Sequence, residues 1–531
     1  MSIDTSTTTR HDPTVCINPA TGEQIGVSEV DDVRDVALVV ARCREVQRVW
    51  EGVSIKERAR AIRRVRDYLV DNAQRIAKVI SDDTGKTRTD ALSTEVLPAV
   101  LAAEYYAKHA AKFLAPRSLK PASALLANKV AKLHRAPFGV IGIISPWNYP
   151  FAIPFSEVVM ALLAGNALVL KVATQTQMVG RELQLALDAA GLPSGLFAYV
   201  NLPGAQAGDA LLAAGIDKLF FTGSVTVGKT LMAKAAQTLT PVSLELGGND
   251  AMLVCPNADI DRAAAGATWA AFQNAGQSCA GVERIYVHRD VYKPFLEALA
   301  KRVRALRVGL DTDFNVDIGS LTTRSQLETV KRHLQDALDR GATLYAQSSC
   351  PENSAGLFHP AVVLTDVTHD MLVMKEETFG PLVGVMAVDS MEQAVALAND
   401  SDLGLTGSVW SEDRQDAQHW ARMIRAGTIM INDHLMSHGL AETPWGGFKQ
   451  SGIGRTHGKL GFDEMTQPQC IVQDYMPAAK KNMWWHPHSK SVYDGLLGIL
   501  EMLYRPTAAQ KVSGLGRLAK LFPRTFSSDD T

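Results

Sequence analysis

The chain has no CxxC pair and no cysteine–histidine cluster at metal-ligand spacing, so no metal site is expected. Its six cysteines stand apart at 16, 43, 255, 279, 350 and 470 of 531 residues. They are too sparse for a disulfide framework, and a reducing compartment is the simpler reading. No apolar run approaches the roughly 18 residues that a transmembrane helix needs. The opening "MSIDTSTTTRHDPT" has no apolar segment of the signal-peptide type. These two absences make the cytoplasm the expected location. Neither sign of charge dominates: the formal net charge is −2, which leaves no basic field for nucleic acid. There is no internal repeat and no long low-complexity tract.

What is present is an ordinary globular composition, 46% apolar and 21% charged, over a length suited to two to four domains. Residues 31–114 show apolar positions at helical spacing, with Asp and Ser near the helix starts. After "APRSLKPAS" the texture changes to short β-rich runs alternating with helical ones. "GVIGIISP", "ALVLKV", "LFAYVNLPG" and "KLFFTGS" read as strands. "FSEVVMALLAGN", "VGRELQLALDAAG", "GDALLAAGI" and "VGKTLMAKAAQ" read as helices. Such alternation predicts an α/β fold with parallel strands and crossover helices, whose sites lie beyond the carboxyl ends of the strands. A second β/α alternation runs from about 248 to 440. Residues 476–531 differ from both.

The distinctive residues fall at those strand ends. In "ISPWNYP" two prolines stiffen a turn that holds Asn148, either a turn-former or an amide donor. Lys171 ends the strand "ALVLK", either solvated or able to reach a ribose or phosphate. In "FTGSVTVGK", Gly223 and Gly228 bracket a strand-to-helix turn that could admit a phosphate. The stretch is neither GxGxxG nor a P-loop, so a plain turn serves as well. Glu245 in "LELGGND" sits among apolar residues before Gly247 and Gly248. It is either a structural carboxylate or a base of raised pKa. Cys279 in "FQNAGQSCAG" is a small core residue or a nucleophile. Its neighbours Gly276, Gln277 and Ser278 are poor core material, and a nearby helix N-terminus could lower its thiol pKa.

In combination, the order PWN, K, FTGS, ELGG and FQNxGQxC resembles the aldehyde dehydrogenase superfamily. "INPATGE" near residue 17, "EETFGP" (376–381) and "PWGGFKQSGIGR" (444–455) extend the resemblance over about 15–475. It implies an aldehyde dehydrogenase-like fold: a Rossmann-type cofactor domain, an α/β catalytic domain and a small β oligomerisation element. The implied boundaries are 1–118 with 138–247 for the cofactor domain, 248–462 for the catalytic domain and 119–137 with 463–475 for the oligomerisation element. A tail, 476–531, follows. The resemblance also implies oxidation of an aldehyde to its carboxylic acid with NAD or NADP. Cys279 would be the nucleophile and Glu245 the base. Asn148 and the Cys279 backbone N–H would hold the oxyanion. Lys171 and Glu377 would bind the riboses, and Phe379 would pack beside the nicotinamide. Gly223, Ser224 and Gly228 would lie by the pyrophosphate or adenosine end, and Ser145 to Trp147 would line the cleft.

One departure bears on the cofactor. Thr174 stands where many NAD-dependent members carry a glutamate for the ribose 2′-hydroxyl, so NADP is expected to be accepted. Tyr105, Tyr106, Tyr149 and the apolar residues after Pro150 suggest an apolar aldehyde tunnel, or core packing. The expected assembly is a homodimer or tetramer. The tail holds eight Lys/Arg and four Asp/Glu. It reads either as packing helices or as a peripheral membrane contact, with Leu515, Leu518 and Phe522 on one helical face. Competing readings are a thiol-dependent esterase or acyltransferase and a non-catalytic binding protein on the same fold.

Overall fold

The computed structural model describes residues 12–352 and 354–528. Contacts divide the chain into two units, one of Met1–Leu114 with Ala136–Gln467 and one of Ala115–Arg135 with Pro468–Thr531.

The first unit opens on helices. Ser54 caps Ile55–Asp71 through a reciprocal pair with Glu57, and Asp32 caps the short 3-10 turn that leads into Val36–Glu51. Two sheets follow. In the first, the spatial order is Gly452–Ile453, Val242–Glu245, Lys218–Thr222, Val140–Ile144, Ala167–Lys171 and Phe197–Tyr199. All its pairings are parallel except that of Gly452–Ile453. The predicted strand and helix runs between 138 and 247 all form. Their order reverses around Val140–Ile144, and a doubly wound sheet opens its cleft at such a reversal. Register aligns the carboxyl ends: Ile144 pairs with Lys171 and with Phe221, and Thr222 pairs with Glu245. The helix Ala152–Ala164 covers this sheet and is buried along its whole length, which accounts for its nearly all-apolar sequence.

The second sheet has seven strands, in the order Thr343–Gln347, Val362–Thr365, Leu382–Val388, Val282–His288, Asp250–Val254, Thr406–Trp410 and Thr428–Ile431. Only the outermost pairing, with Thr343–Gln347, is antiparallel. Each sheet has its own apolar core, one drawn mainly from residues 36–246 and one from 251–426.

The second unit joins a three-stranded sheet, in the order Thr466–Asp474, Lys129–Pro137 and Arg117–Leu119, to the hairpin of Lys490–Tyr504 and Ala508–Leu521. Its internal face differs from the expected one. Leu518 and Leu521 turn inward, whereas Leu515 is 51% and Phe522 47% exposed. Glycine decides the rotation. A Cβ on Gly514 would stand 2.5 Å from the Gly498 carbonyl oxygen, so the helices cross on Gly498 and Gly514, with Leu521 against Gly495. Among the described residues no helix is long and apolar enough to cross a membrane, and no group of His, Cys, Asp and Glu could hold a metal.

Candidate active site

Cys279 lies in a turn between the helix Ile260–Phe272 and the strand Val282–His288. The turn is tightly wound. Asn274, Ala275 and Gly276 all take left-handed φ, at 54°, 53° and 71°. Three such residues in a row are costly unless the surroundings enforce them. Gln277 supplies the enforcement: it is fully buried, its amide donates to the Asn274 carbonyl at 3.0 Å, and its Oε1 accepts from Thr322 N at 2.9 Å. Gly248 adds a close approach, since a Cβ there would stand 2.0 Å from the Cys279 carbonyl oxygen. The small residues around Cys279 are therefore conformational and steric requirements of the turn.

Around Cys279 the structure gathers the residues singled out from the sequence. A cavity of about 290 Å³ is lined by Trp147, Asn148, Gly223, Ser224, Glu245, Cys279, Glu377 and Phe379. Phe379 stands edge-on to Trp147, with centroids 5.5 Å apart. A second cavity, of about 280 Å³, reaches Cys279 along Leu97, Pro98, Tyr149, Ile153, Trp269, Met436 and Trp445. A third, of about 20 Å³, lies between Glu157, Glu245, Cys279, His438 and His457 and has room for about one water. Among the described residues Cys279 alone lines all three.

Four of the predicted cofactor residues lie outside these cavities. Lys171 and Ser145 sit at the neighbouring strand end, where Ser145 N donates to the Lys171 carbonyl at 3.0 Å. Thr174 is exposed and begins the short turn Thr174–Thr176. Gly228 is buried in the helix Val225–Ala235, and its absent side chain makes room for Leu246. Tyr149 lines the second cavity, but Tyr105 and Tyr106 do not. Only the start of the helix Leu97–Phe113 borders that cavity. Two turns on, Tyr106 is fully buried against Phe462, and Tyr105 packs on His109 and Phe113.

The electrostatics around the thiol are dominated by burial and carboxylates. The helix before Cys279 ends at Phe272 and none begins at the thiol itself, so an N-terminal dipole there would have to come from a helix distant in sequence. Burial pushes the Cys279 thiol up, and Glu377, Asp250 and Glu245 push it further. Glu245 is buried, neither of its carboxylate oxygens has a hydrogen-bond partner, and burial followed by Glu157 raises it well above the ordinary carboxylate range. Burial lifts Glu157 to about 8 and Glu377 to about 7, the latter opposed by a bond from Gly248 N at 2.9 Å. Asn148 donates one amide N–H to the Gln277 carbonyl at 3.1 Å, which leaves its second N–H free to meet an oxyanion; its Oδ1 has no partner. Sequence reading took Gln277 only as poor core material, whereas it is fully buried, and it passed over Glu157. Glu157 was hidden inside a run that reads only as an apolar helix.

A doubly wound sheet whose carboxyl edge opens on a thiol and an unpartnered carboxylate has the layout of a dinucleotide-dependent dehydrogenase. The chain belongs to the aldehyde dehydrogenase family, whose model matches residues 6–471, and it is an aldehyde-oxidising enzyme of that family. A 4,4'-diapolycopene aldehyde oxidase of Methylomonas sp is 37% identical over 488 residues, 92% of this chain and 91% of the relative. A Mycobacterium ulcerans (strain Agy99) protein, provisionally named succinate-semialdehyde dehydrogenase [NADP(+)] 2, is 39% identical over 455 residues, 85% of this chain and 87% of its own. Among solved structures, an aldehyde dehydrogenase of Brucella melitensis biovar abortus 2308 has a TM-score of 0.83 at 34% identity, covering 87% of this chain and 94% of that one. The NAD+ complex of a Bacillus cereus aldehyde dehydrogenase has a TM-score of 0.83 at 31% identity, covering 87% and 93%.

The residues fit a dinucleotide. Lys171 is 4% exposed, and its ammonium has no hydrogen bond or ion pair among the described residues. Burial alone lowers it to about 8. The buried Ser145 hydroxyl is likewise unpartnered. Unsatisfied donors of this kind at a strand edge suit ribose hydroxyls and phosphates.

Proposed function

We propose that the chain oxidises apolar aldehydes, aliphatic or aromatic, to carboxylic acids with NAD or NADP. The carrying observation is the position of Cys279, where a cavity bordered by dinucleotide-type residues meets one bordered by no Asp, Glu, Lys or Arg. His438 in the second cavity is lowered to about 4 by burial and so stays neutral at physiological pH. A substrate carboxylate there would lose its hydration without gaining a cation. That disfavours succinate semialdehyde, although several relatives are named for it. The relative with the larger coverage is named for 4,4'-diapolycopene aldehyde.

The Cys279 thiolate attacks the aldehyde carbon to give a thiohemiacetal oxyanion. The free N–H of Asn148 and the backbone N–H of Cys279 hold that oxyanion, each such donor lowering the barrier by about 2.7–4 kcal/mol. Lys171 and Glu377 would hold the riboses, Phe379 and Trp147 would flank the nicotinamide, and Gly223 and Ser224 would lie toward the pyrophosphate; when bound, the dinucleotide would supply the hydride acceptor that turns the thiohemiacetal into a thioester. Glu245 then takes a proton from the water that cleaves the Cys279 thioester. Thr174 places no carboxylate against a 2′-phosphate, so NADP is accepted.

One series of measurements tests this reading. Cofactor reduction is followed with octanal, decanal, benzaldehyde and succinic semialdehyde, each with NAD and NADP. The apolar aldehydes should exceed succinic semialdehyde in kcat/KM by about 100-fold or more. A preference for succinic semialdehyde overturns the substrate class, and a 100-fold preference for NAD overturns the NADP assignment.

The second unit supports two further roles. The strand Thr466–Asp474 is an edge that exposes Ile471 and Val472, a surface on which copies of the chain pair into a dimer or tetramer. The hairpin exposes Tyr493, Leu500, Tyr504, Val512 and Leu515 beside the tail's excess of Lys and Arg, which suits an anionic membrane surface. The enzyme is otherwise cytoplasmic, in keeping with six free cysteines. The intact chain should float with vesicles rich in phosphatidylserine, and a chain lacking 476–531 should not. Equal flotation overturns the membrane role, and a monomeric mass by light scattering overturns the pairing.

A further inference from the structure

Behind the turn that carries Asn148 lies an ion pair with no contact with solvent. Lys86 Nζ stands 2.6 Å from Glu95 Oε1, and both side chains are 0% exposed. Taking two charges out of water is costly, and an apolar pair would fill the same space without that cost. The remaining bonds of the pair show what it holds. The Lys86 ammonium donates to the Asn148 carbonyl at 2.7 Å and lies 4.3 Å from the Tyr149 ring centroid. The second Glu95 oxygen accepts from Phe151 N at 2.8 Å and Ala152 N at 3.2 Å. The pair thus grips both sides of the turn 148–152.

Two more bonds tie the same turn to the cysteine segment. Asn274 Nδ2 donates to the Asn148 carbonyl at 3.1 Å, and the Tyr149 hydroxyl donates to Gln273 Oε1 at 2.6 Å. Glu95 itself is delivered by a single π-helical turn, Leu92–Val96, inserted between Arg88–Ala91 and Leu97–Phe113. The wider turn points Glu95 inward, while Ser93, Thr94 and Leu97 border the apolar cavity.

We infer that Lys86 and Glu95 are positioning residues that hold the Asn148 amide at the distance from Cys279 which the oxyanion requires. Neither touches the reacting atoms; both act through the backbone of 148–152. The inference rests on the proposed role of Asn148 as oxyanion donor. A donor displaced by an ångström loses most of its effect on the transition state, while substrate and dinucleotide still bind.

The test is the pre-steady-state burst of reduced cofactor with decanal. Asn148→Ala should slow the burst by about 10²–10³-fold. Lys86→Met and Glu95→Gln should each slow it by about 10–100-fold, leave the KM for the dinucleotide within about twofold, and lose little further when combined with Asn148→Ala. Lys86→Arg, which keeps the charge and the donors, should restore part of the rate. If Lys86→Met does not fold, Glu95→Gln decides, since an amide oxygen still accepts from Phe151 N and Ala152 N. Losses that multiply in the double variants, or an unchanged burst in Glu95→Gln, overturn the inference. A normal burst in Asn148→Ala overturns instead the oxyanion reading on which it stands.

Discussion

Cys279→Ala abolishes aldehyde oxidation, with kcat falling by about 10⁴-fold or more while the dinucleotide still binds. The loss is this large because, among the described residues, the thiol is the one group common to the apolar cavity, the dinucleotide-side cavity and the small cavity beside Glu245. The same thiol has a marked pH signature. Burial and the nearby Glu377, Asp250 and Glu245 favour the neutral form, so its pKa lies above the ordinary value of about 8.5. In the enzyme alone, alkylation of Cys279 by iodoacetamide should therefore keep rising with pH beyond the range in which a small free thiol in solution has levelled off. The residue-resolved alkylation rate, read by mass spectrometry, checks this. A Cys279 rate that levels off at lower pH than a small free thiol contradicts the assigned environment, and retained turnover in Cys279→Ala contradicts the mechanism.

Glu245→Gln separates the two halves of the reaction. It should keep a burst of about one equivalent of reduced cofactor per site and lower the steady-state rate by about 10²–10⁴-fold. The burst survives because thiol attack and oxidation do not use the carboxylate. Turnover stalls because an amide cannot take the proton from the hydrolytic water. In the unaltered enzyme Glu245 works only when ionised. Its pKa is raised by burial and by Glu157, so steady-state turnover should fall as pH is lowered while pH is still well above the ordinary carboxylate range. Stopped-flow absorbance at 340 nm with decanal measures both phases. Loss of the burst in Glu245→Gln would assign the residue to the first half-reaction instead.

Much of the site was legible in the sequence because its parts are local. A strand that runs into PWN or ELGG presents its last side chains at the sheet edge wherever the sheet forms, and parallel pairing aligns those edges. Asn148, Glu245 and Cys279 could be picked out, though 148 and 279 are 131 positions apart. Other features were not legible, because they depend on groups distant in the chain. Tyr105 and Tyr106 have the aromatic character of tunnel residues, yet the helix carrying them has entered the core by that point. Lys86 lies in the polar run "DTGKTR", which the sequence reading did not single out, and is fully buried. Leu515 shares a helical stripe with Leu518, but the crossing on Gly498 and Gly514 turns it outward.

The sequence by itself determined the alternation of strands and helices, the family, and which thiol, carboxylate and amide are available for chemistry. The alternation follows from side-chain period, turn residues and the ends of strands, whereas the family and the candidate thiol, carboxylate and amide come from the resemblance carried by the ordered motifs. The tertiary structure alone decided the direction of the Cys279 shift, the absence of charge along the apolar cavity and the burial of Lys86 against Glu95. Each of these is a sum over groups that only folding brings within a few ångströms, where a low dielectric makes a carboxylate or a missing cation count.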